Sequence, residues 1–173
     1  MEERSKMNWI ISDTHFGHAN IIKYCNRPFT NVTTMNATLT RNWKALVKNT
    51  DTIWHLGDVA NNDFKDKTIL SELIHSLPGH KNLIIGNHDK QDINHWHDVG
   101  FEFVSLYPVI YEKFFIMSHD IVFLNDKMPY ANLHGHIHNA KVDLSDCYVN
   151  CCVEVNDYKP INLDEKIALL NRK

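Results

Sequence analysis

Five short apolar runs in this chain each stop at residues that can bind a metal ion, and this repeated ending restricts the fold more than any other feature. Met7 to Ser12 runs into Asp13-Thr14-His15, Thr52 to Leu56 into Gly57-Asp58-Val59, and Asn82 to Ile85 into Gly86-Asn87-His88-Asp89. Further on, Lys113 to Met117 runs into Ser118-His119-Asp120, and Ala131 to His134 into Gly135-His136-Ile137-His138. Apolar runs of this length, bounded by turn residues, read as buried strands. In open α/β sheets ligands collect beyond the carboxyl ends of the strands, so the five endings predict one shared site. Glycine before Asp58, Asn87 and His136 lets the backbone turn sharply and approach closely.

Helical patterns separate the first three strands. Met35, Leu39, Trp43, Leu46 and Val47 recur at helical spacing between Thr33 and Lys48, and Phe64, Ile69, Leu70, Leu73, Ile74 and Leu77 do so before Pro78-Gly79. The opening half is therefore βαβαβ, which predicts a parallel sheet faced by helices. Past Gly100 the texture is strand-rich: Phe101 to Tyr111, Lys113 to Met117, Ala131 to His134 and Tyr148 to Val155. Asp164 to Leu170 closes the chain as a helix capped by Asn162 or Asp164. Across 173 residues no repeat, linker or low-complexity tract breaks the pattern, so residues 1–173 read as one α/β domain.

The chemistry of the strand ends is coherent. Twelve histidines are several times the ordinary share, and histidine is the commonest metal ligand. Asp13 and Asp58, the amide oxygen of Asn87 and several imidazoles suit borderline divalent metals such as Mn²⁺, Fe²⁺ or Zn²⁺. Two such ions bring about four positive charges against the two carboxylates, leaving a site that wants a hydroxide and an anion such as a phosphate ester. The formal charge of −3, without a basic stripe, argues against a long nucleic acid as partner. No apolar run reaches the roughly 18 residues of a membrane span. The charged opening residues and four cysteines without Cys-x-x-Cys spacing predict a cytoplasmic protein with reduced thiols.

In this order, Asp-x-His, Gly-Asp, Gly-Asn-His-Asp, a lone strand-end His and Gly-His-x-His resemble the calcineurin-like metallophosphoesterases. The likeness runs from Asp13 to His138. Within that superfamily, Asp13-Thr14-His15-Phe16-Gly17-His18, Arg27-Pro28-Phe29 and Pro160 are similar to the small single-domain bacterial and phage branch. The resemblance implies a two-sheet β-sandwich flanked by helices. It implies one metal held by Asp13, His15, Asp58 and His138, and a second held by Asp58, Asn87, His119 and His136, with Asp58 bridging. The pair would be Mn, Fe, Zn or Ni, with Mn favoured. The implied reaction is attack on a phosphate ester by a hydroxide bridging the two metals, with His88 as general acid and Asp89 positioning its loop. His18 and Arg27, both in the first loop, are candidate contacts to the phosphate or substrate. Two departures stand out: Asp120 adds a carboxylate after His119, and Cys151-Cys152-Val153-Glu154 replaces the small residues common near the C-terminus.

The remaining histidines have plainer readings. His134 and His55 read as structural or core residues, and His75 and His80 as helix-end residues. His95-Trp96-His97 falls in a loop or short helix, and Trp43 and Trp54 read as core. The expected substrate is a small phosphate ester, a nucleotide among the candidates, with a diester favoured over a monoester. A non-catalytic binding scaffold on the same fold, and a nuclease acting on short nucleic acid, are the alternatives.

Overall fold

The computed structural model describes residues 5–61, 67–125 and 127–170. The first sheet is built from β1 (Asn8–Ile11), β2 (Thr52–His55), β3 (His80–Ile84) and β4 (Phe103–Ser105), all parallel, with β9 (Ile161–Asn162) antiparallel on β1. Between them run α1 (Ile21–Tyr24), α2 (Val32–Leu46), α3 (Lys67–Ser76) and α4 (Ile93–Val99). The second sheet has the order β5 (Val109–Tyr111), β6 (Phe115–Ser118), β7 (Ala131–His134), β8 (Tyr148–Asn150), with only β5 antiparallel. α5 (Leu163–Leu170) ends the described chain. Two mixed sheets with flanking helices agree with the expected α/β sandwich.

The period-two alternation of the strands divides the apolar side chains between two cores. Trp9, Ile11, Ile53 and Leu83 point to the helices and join Met35, Leu39 and Trp43 of α2, Ile74 of α3 and Trp96 of α4. Ile10 and Ile84 point the other way, onto Phe115, Met117 and Leu133 of the second sheet and Leu163 and Ile167 of α5. α2 starts where Asn31 accepts from the Thr34 backbone N–H, in a capping box. Asn162 caps α5 by accepting from the Glu165 N–H, while Asp164 instead holds the Asn8 backbone and side-chain amides at 2.9 Å.

Several expectations change. Phe101 to Tyr111 is not one strand: β4 pairs in the first sheet and β5 in the second, and Leu106-Tyr107-Pro108 carries the chain between them. Tyr148 to Val155 likewise ends as a strand at Asn150. The chain then returns to the first sheet, where Cys152 bridges Ser12 before a 3₁₀ turn over Val153–Val155. His95-Trp96-His97 takes the second of its two expected forms, a short helix, in α4. Trp54 is only half-buried, edge-on to Phe103 and Tyr111. Phe64 lies outside the described residues.

Buried Asp51 pins the start of β1 to the end of α2. Its carboxylate accepts from the Met7 N–H, the Trp9 indole N–H and the Lys48 N–H at 2.9–3.0 Å. Asp51→Ala leaves three donors without that partner, so urea unfolding is expected to show a loss of about 3 kcal/mol or more, with Asp51→Asn milder.

Candidate metal centre

The strand ends meet because their backbones are stitched together. The N–H groups of Asp13, His15 and Phe16 donate to the carbonyls of Gly57, Asp58 and Val59, so the first two loops run as a pair. Asp89 fastens the third loop to the second: its buried carboxylate accepts from the N–H groups of Asp58, Val59 and Gly86 at 2.7–3.0 Å. Burial pushes the Asp89 carboxyl up to about 7, and its bond from Gly86 opposes that rise. Asp89 points its carboxylate into the backbone of these two loops. Gly57 has φ +95°, and a Cβ there would lie 2.5 Å from the Gly86 nitrogen, so the second and third loops approach too closely for any side chain.

Each carboxylate is divided between the fold and the site. Asp13 Oδ2 accepts from Ser12 Oγ, the His136 N–H and the Cys152 thiol, whereas Oδ1 is buried without a hydrogen-bond partner. Asp58 Oδ1 accepts from the His88 N–H at 2.8 Å, and its Oδ2 is likewise unpartnered. Around Asp13 Oδ1 and Asp58 Oδ2 stand His15 Nε2, 3.9 and 3.4 Å away, and His138 Nε2, 3.8 Å from Asp13. On the other side of Asp58 Oδ2 is His119 Nε2 at 3.7 Å. His119 Nε2 is 2.9 Å from Asn87 Oδ1 and 3.2 Å from His136 Nδ1, and Asn87 Oδ1 is 3.0 Å from His136 Nδ1. The structure therefore brings Asp13, His15, Asp58, Asn87, His119, His136 and His138 together as two clusters with Asp58 between them.

These residues fit a pair of divalent ions. Ligand atoms about 2.0–2.2 Å from one ion lie roughly 3–3.5 Å from each other, close to the separations here. Buried polar atoms normally have partners, so the bare Asp13 Oδ1, His15 Nε2 and Asp58 Oδ2 mark where cations belong. Two imidazoles are fixed in the required tautomer from behind. His119 Nδ1 donates to the Leu56 carbonyl at 2.8 Å and His138 Nδ1 to Glu154 Oε1 at 2.9 Å, leaving each Nε2 lone pair toward the site.

The titrations describe the same anion-rich pocket. Burial raises Asp58, with His119 opposing and the Asp13 charge adding to the rise. For His138 burial acts downward, yet its hydrogen bonds with Cys25 and Glu154 and the charges of Glu154 and Asp13 outweigh it and raise the imidazole to about 10, so a metal ion at Nε2 would displace a proton there. His15 moves the other way, lowered by burial and then by Arg27. Backbone strain is concentrated here as well: Asp13, His15, Asp58, His136 and His138 all have φ between 49° and 68°. Non-glycine residues in this region cost of order 1 kcal/mol each and persist only where their surroundings hold them.

Arg27 does not face the cleft. It is buried, and its guanidinium donates to Glu154 Oε1 twice, to the Asp13 and Thr14 carbonyls and to Met35 Sδ, which uses every N–H it has. It supports the first loop from below. His18 lies half-buried at the mouth, its ring 5.5 Å from His15 and 6.4 Å from His88. His88 is exposed, edge-on to His15 at 5.3 Å.

Glu154 is the residue that sequence reasoning missed. Nothing in its spacing marks it, because only the Ser12–Cys152 bridge carries it under His138. Among the other histidines, His55 is buried and holds Thr14 Oγ1 at 2.9 Å and the Gly57 N–H at 3.2 Å. Burial lowers it to about 3, so it stays neutral. His134 is buried, with Nδ1 on the Gly135 carbonyl. His75, His80 and His97 place Nδ1 on the Ser71 carbonyl, Glu102 and the Phe101 carbonyl.

A family model described as calcineurin-like phosphoesterase matches residues 9–170, and the chain belongs to that family. It is 36% identical to the uncharacterized protein MJ1445 of Methanocaldococcus jannaschii over 95% of this chain and 91% of that one. The structure resembles that of the protein of unknown function AQ665 from Aquifex aeolicus, with a TM-score of 0.73 and 26% identity over 95% of this chain and all of the other. It also resembles the nuclease MPE of Pseudomonas putida in fold, with a TM-score of 0.51 and 19% identity over 76% of this chain and 61% of that chain. Among the described residues no helix is long and apolar enough to cross a membrane.

Glu154→Gln should weaken metal binding at the first cluster about 10- to 100-fold in equilibrium dialysis, with the second cluster retained, because a neutral amide holds the His138 Nδ1–H less strongly than the carboxylate. Glu154→Ala should also lower the unfolding temperature, since it leaves Arg27 buried without its carboxylate.

Proposed function

We propose that residues 1–173 form a single-domain, two-metal phosphoesterase that prefers phosphodiesters, with His88 as general acid. The observation that carries this reading is Asp58 Oδ2, buried without a hydrogen-bond partner between two groups of imidazoles. When bound, two divalent ions, Mn²⁺ favoured, neutralise phosphate oxygens and supply an attacking hydroxide at neutral pH. The chain's own part is orientation and proton delivery. Asp13 and Asp58 each hold one oxygen rigidly and offer the other, so little reorganises as charge develops. Asp58 also grips the His88 backbone, which ties the acid to the reacting centre. From there a ring nitrogen of His88 gives a proton to the departing ester oxygen. His18, at the mouth beside His88, donates to a phosphate oxygen.

Charge counting supports the diester. Two ions bring about four positive charges, Asp13 and Asp58 return two, and Asp120, 3.5 Å from His136, offsets part of a third. Glu154 adds nothing to this balance because Arg27 neutralises it. Once the attacking hydroxide takes a further charge, at most about one remains, which suits a monoanionic diester better than a dianionic monoester. A nuclease acting on short nucleic acid would use the same residues, and the fold likeness to a nuclease supports keeping that reading as the second.

Metal-stripped protein reconstituted with Mn²⁺ is expected to hydrolyse bis-nitrophenyl phosphate faster than mono-nitrophenyl phosphate. His88→Gln should reduce turnover about 10²-fold or more, with larger losses for poorer leaving groups, as removal of a proton donor requires. Full metal binding without hydrolysis of either ester would instead favour the scaffold reading.

A further inference from the structure

The segment between the two sheets builds a second feature beside the metal centre. Where Leu106-Tyr107-Pro108 crosses from β4 to β5, a cleft of about 120 Å³ opens against the loop after β6. Ile85, Leu106, Tyr107, Pro108 and Val122 form its apolar walls, and His119 and Asp120 stand at its polar side. We infer that this cleft is the subsite for the second arm of a phosphodiester, the arm that stays on phosphorus, and that it takes an uncharged ring such as an aryl group or a nucleobase. The inference rests on the hydrolase reading above.

Four observations lead there. The cleft is continuous with the second cluster, since His119 is both its wall and the imidazole facing Asn87 and Asp58. It lies on the flank away from the acid: the ring neighbours of His88 are His15 and His18, in and beside the first cluster. The leaving arm goes to the His88 flank, so the cleft receives the other arm, which a monoester lacks. Its size is right for one ring, because an apolar cavity of about 150 Å³ accepts a benzene. Its charge excludes an anionic arm, because Asp120 sits at its polar side.

The walls are also braced. Ser105 Oγ donates to the Tyr107 carbonyl at 2.8 Å and accepts the Tyr107 N–H at 3.2 Å, and Asn132 Oδ1 accepts the Val122 N–H at 2.9 Å. These bonds hold Leu106 and Tyr107 in place while 53% and 74% exposed, so both side chains are open to a ligand. An aromatic face held rigid in water is well suited to stack on a ring.

The test uses two diesters with one leaving group, bis-nitrophenyl phosphate and methyl nitrophenyl phosphate, on Mn²⁺-loaded protein. The ratio of their kcat/KM values is compared among wild type, Leu106→Ala, Tyr107→Ala and Ile110→Ala. Intrinsic ester reactivity cancels in that comparison. The aryl preference should fall about tenfold in the Leu106 and Tyr107 variants and hold in Ile110→Ala, whose side chain lies outside the cleft. An unchanged ratio in both cleft variants overturns the subsite. Failure of every ester to turn over overturns the hydrolase reading instead. The cleft is then decided by calorimetry of diphenyl phosphate against dimethyl phosphate on the metal-loaded protein. Equal affinities, or no weakening of diphenyl phosphate binding in Tyr107→Ala, would reject it.

Discussion

Asp58 must face two ways, and most of the local structure follows from that requirement. One of its oxygens is held by the His88 N–H, while the other stays bare between His15 and His119. A carboxylate in that position needs its own backbone fixed, and Asp89 does this by accepting the Asp58 N–H at 2.7 Å. The loops carrying Asp58 and Asp89 must then lie in backbone contact, which Gly57 and Gly86 permit because a Cβ on either would strike the opposite loop. The left-handed φ of 57° at Asp58 is the local cost of aiming its side chain across the junction. Metal-binding geometry here is set by backbone chemistry before any side chain is chosen.

The layered fold supplies the remaining ligands with little further adjustment. Parallel strands bring successive carboxyl ends to one edge, so β1, β2 and β3 deliver Asp13, Asp58 and Asn87 side by side. The second sheet does the same with β6 and β7, delivering His119 and His136 from the opposite layer. The two sheets are held in register by the apolar core between them, where Ile10 and Ile84 meet Met117 and Leu133. A shift of that packing would separate Asp58 from His119 and divide the centre. The hydrophobic core thus sets how closely the second sheet's imidazoles approach the carboxylates and amide of the first.

Much of this was legible in the sequence because it depends on local signals. Apolar runs ending in Gly-Asp or Gly-Asn-His carry both the strand and its turn in a few adjacent residues, so the residues that gather at the candidate site stand out in the sequence. Tertiary exchanges were not legible. Phe101 to Tyr111 reads as one β-rich run, and nothing local shows that the chain changes sheets at Pro108. The part played by Glu154 depends on a return crossing after Asn150, and Arg27 reads as an anion donor until Glu154 appears beside it. In each case the deciding partner lies far along the chain, as with Arg27 and Glu154, 127 residues apart.

The site is consequently asymmetric about Asp58. On the first flank, Arg27 and Glu154 form an internal ion pair beneath His138, which orients that imidazole while contributing no net charge toward the cleft. On the second flank, Asp120 is exposed with His136 Nδ1 at 3.5 Å, and the cleft beyond it is walled by apolar side chains. In the proposed reaction a phosphate at the shared centre would meet the imidazoles of His88 and His18 on one side and the Leu106 and Tyr107 walls, with Asp120 at their edge, on the other. On the proposed reading that difference would orient a diester, its leaving arm toward His88 and its apolar arm toward the cleft. Selectivity on that reading would rest with the few residues joining the two sheets, because the centre beside them offers the same contacts to the phosphate of any ester.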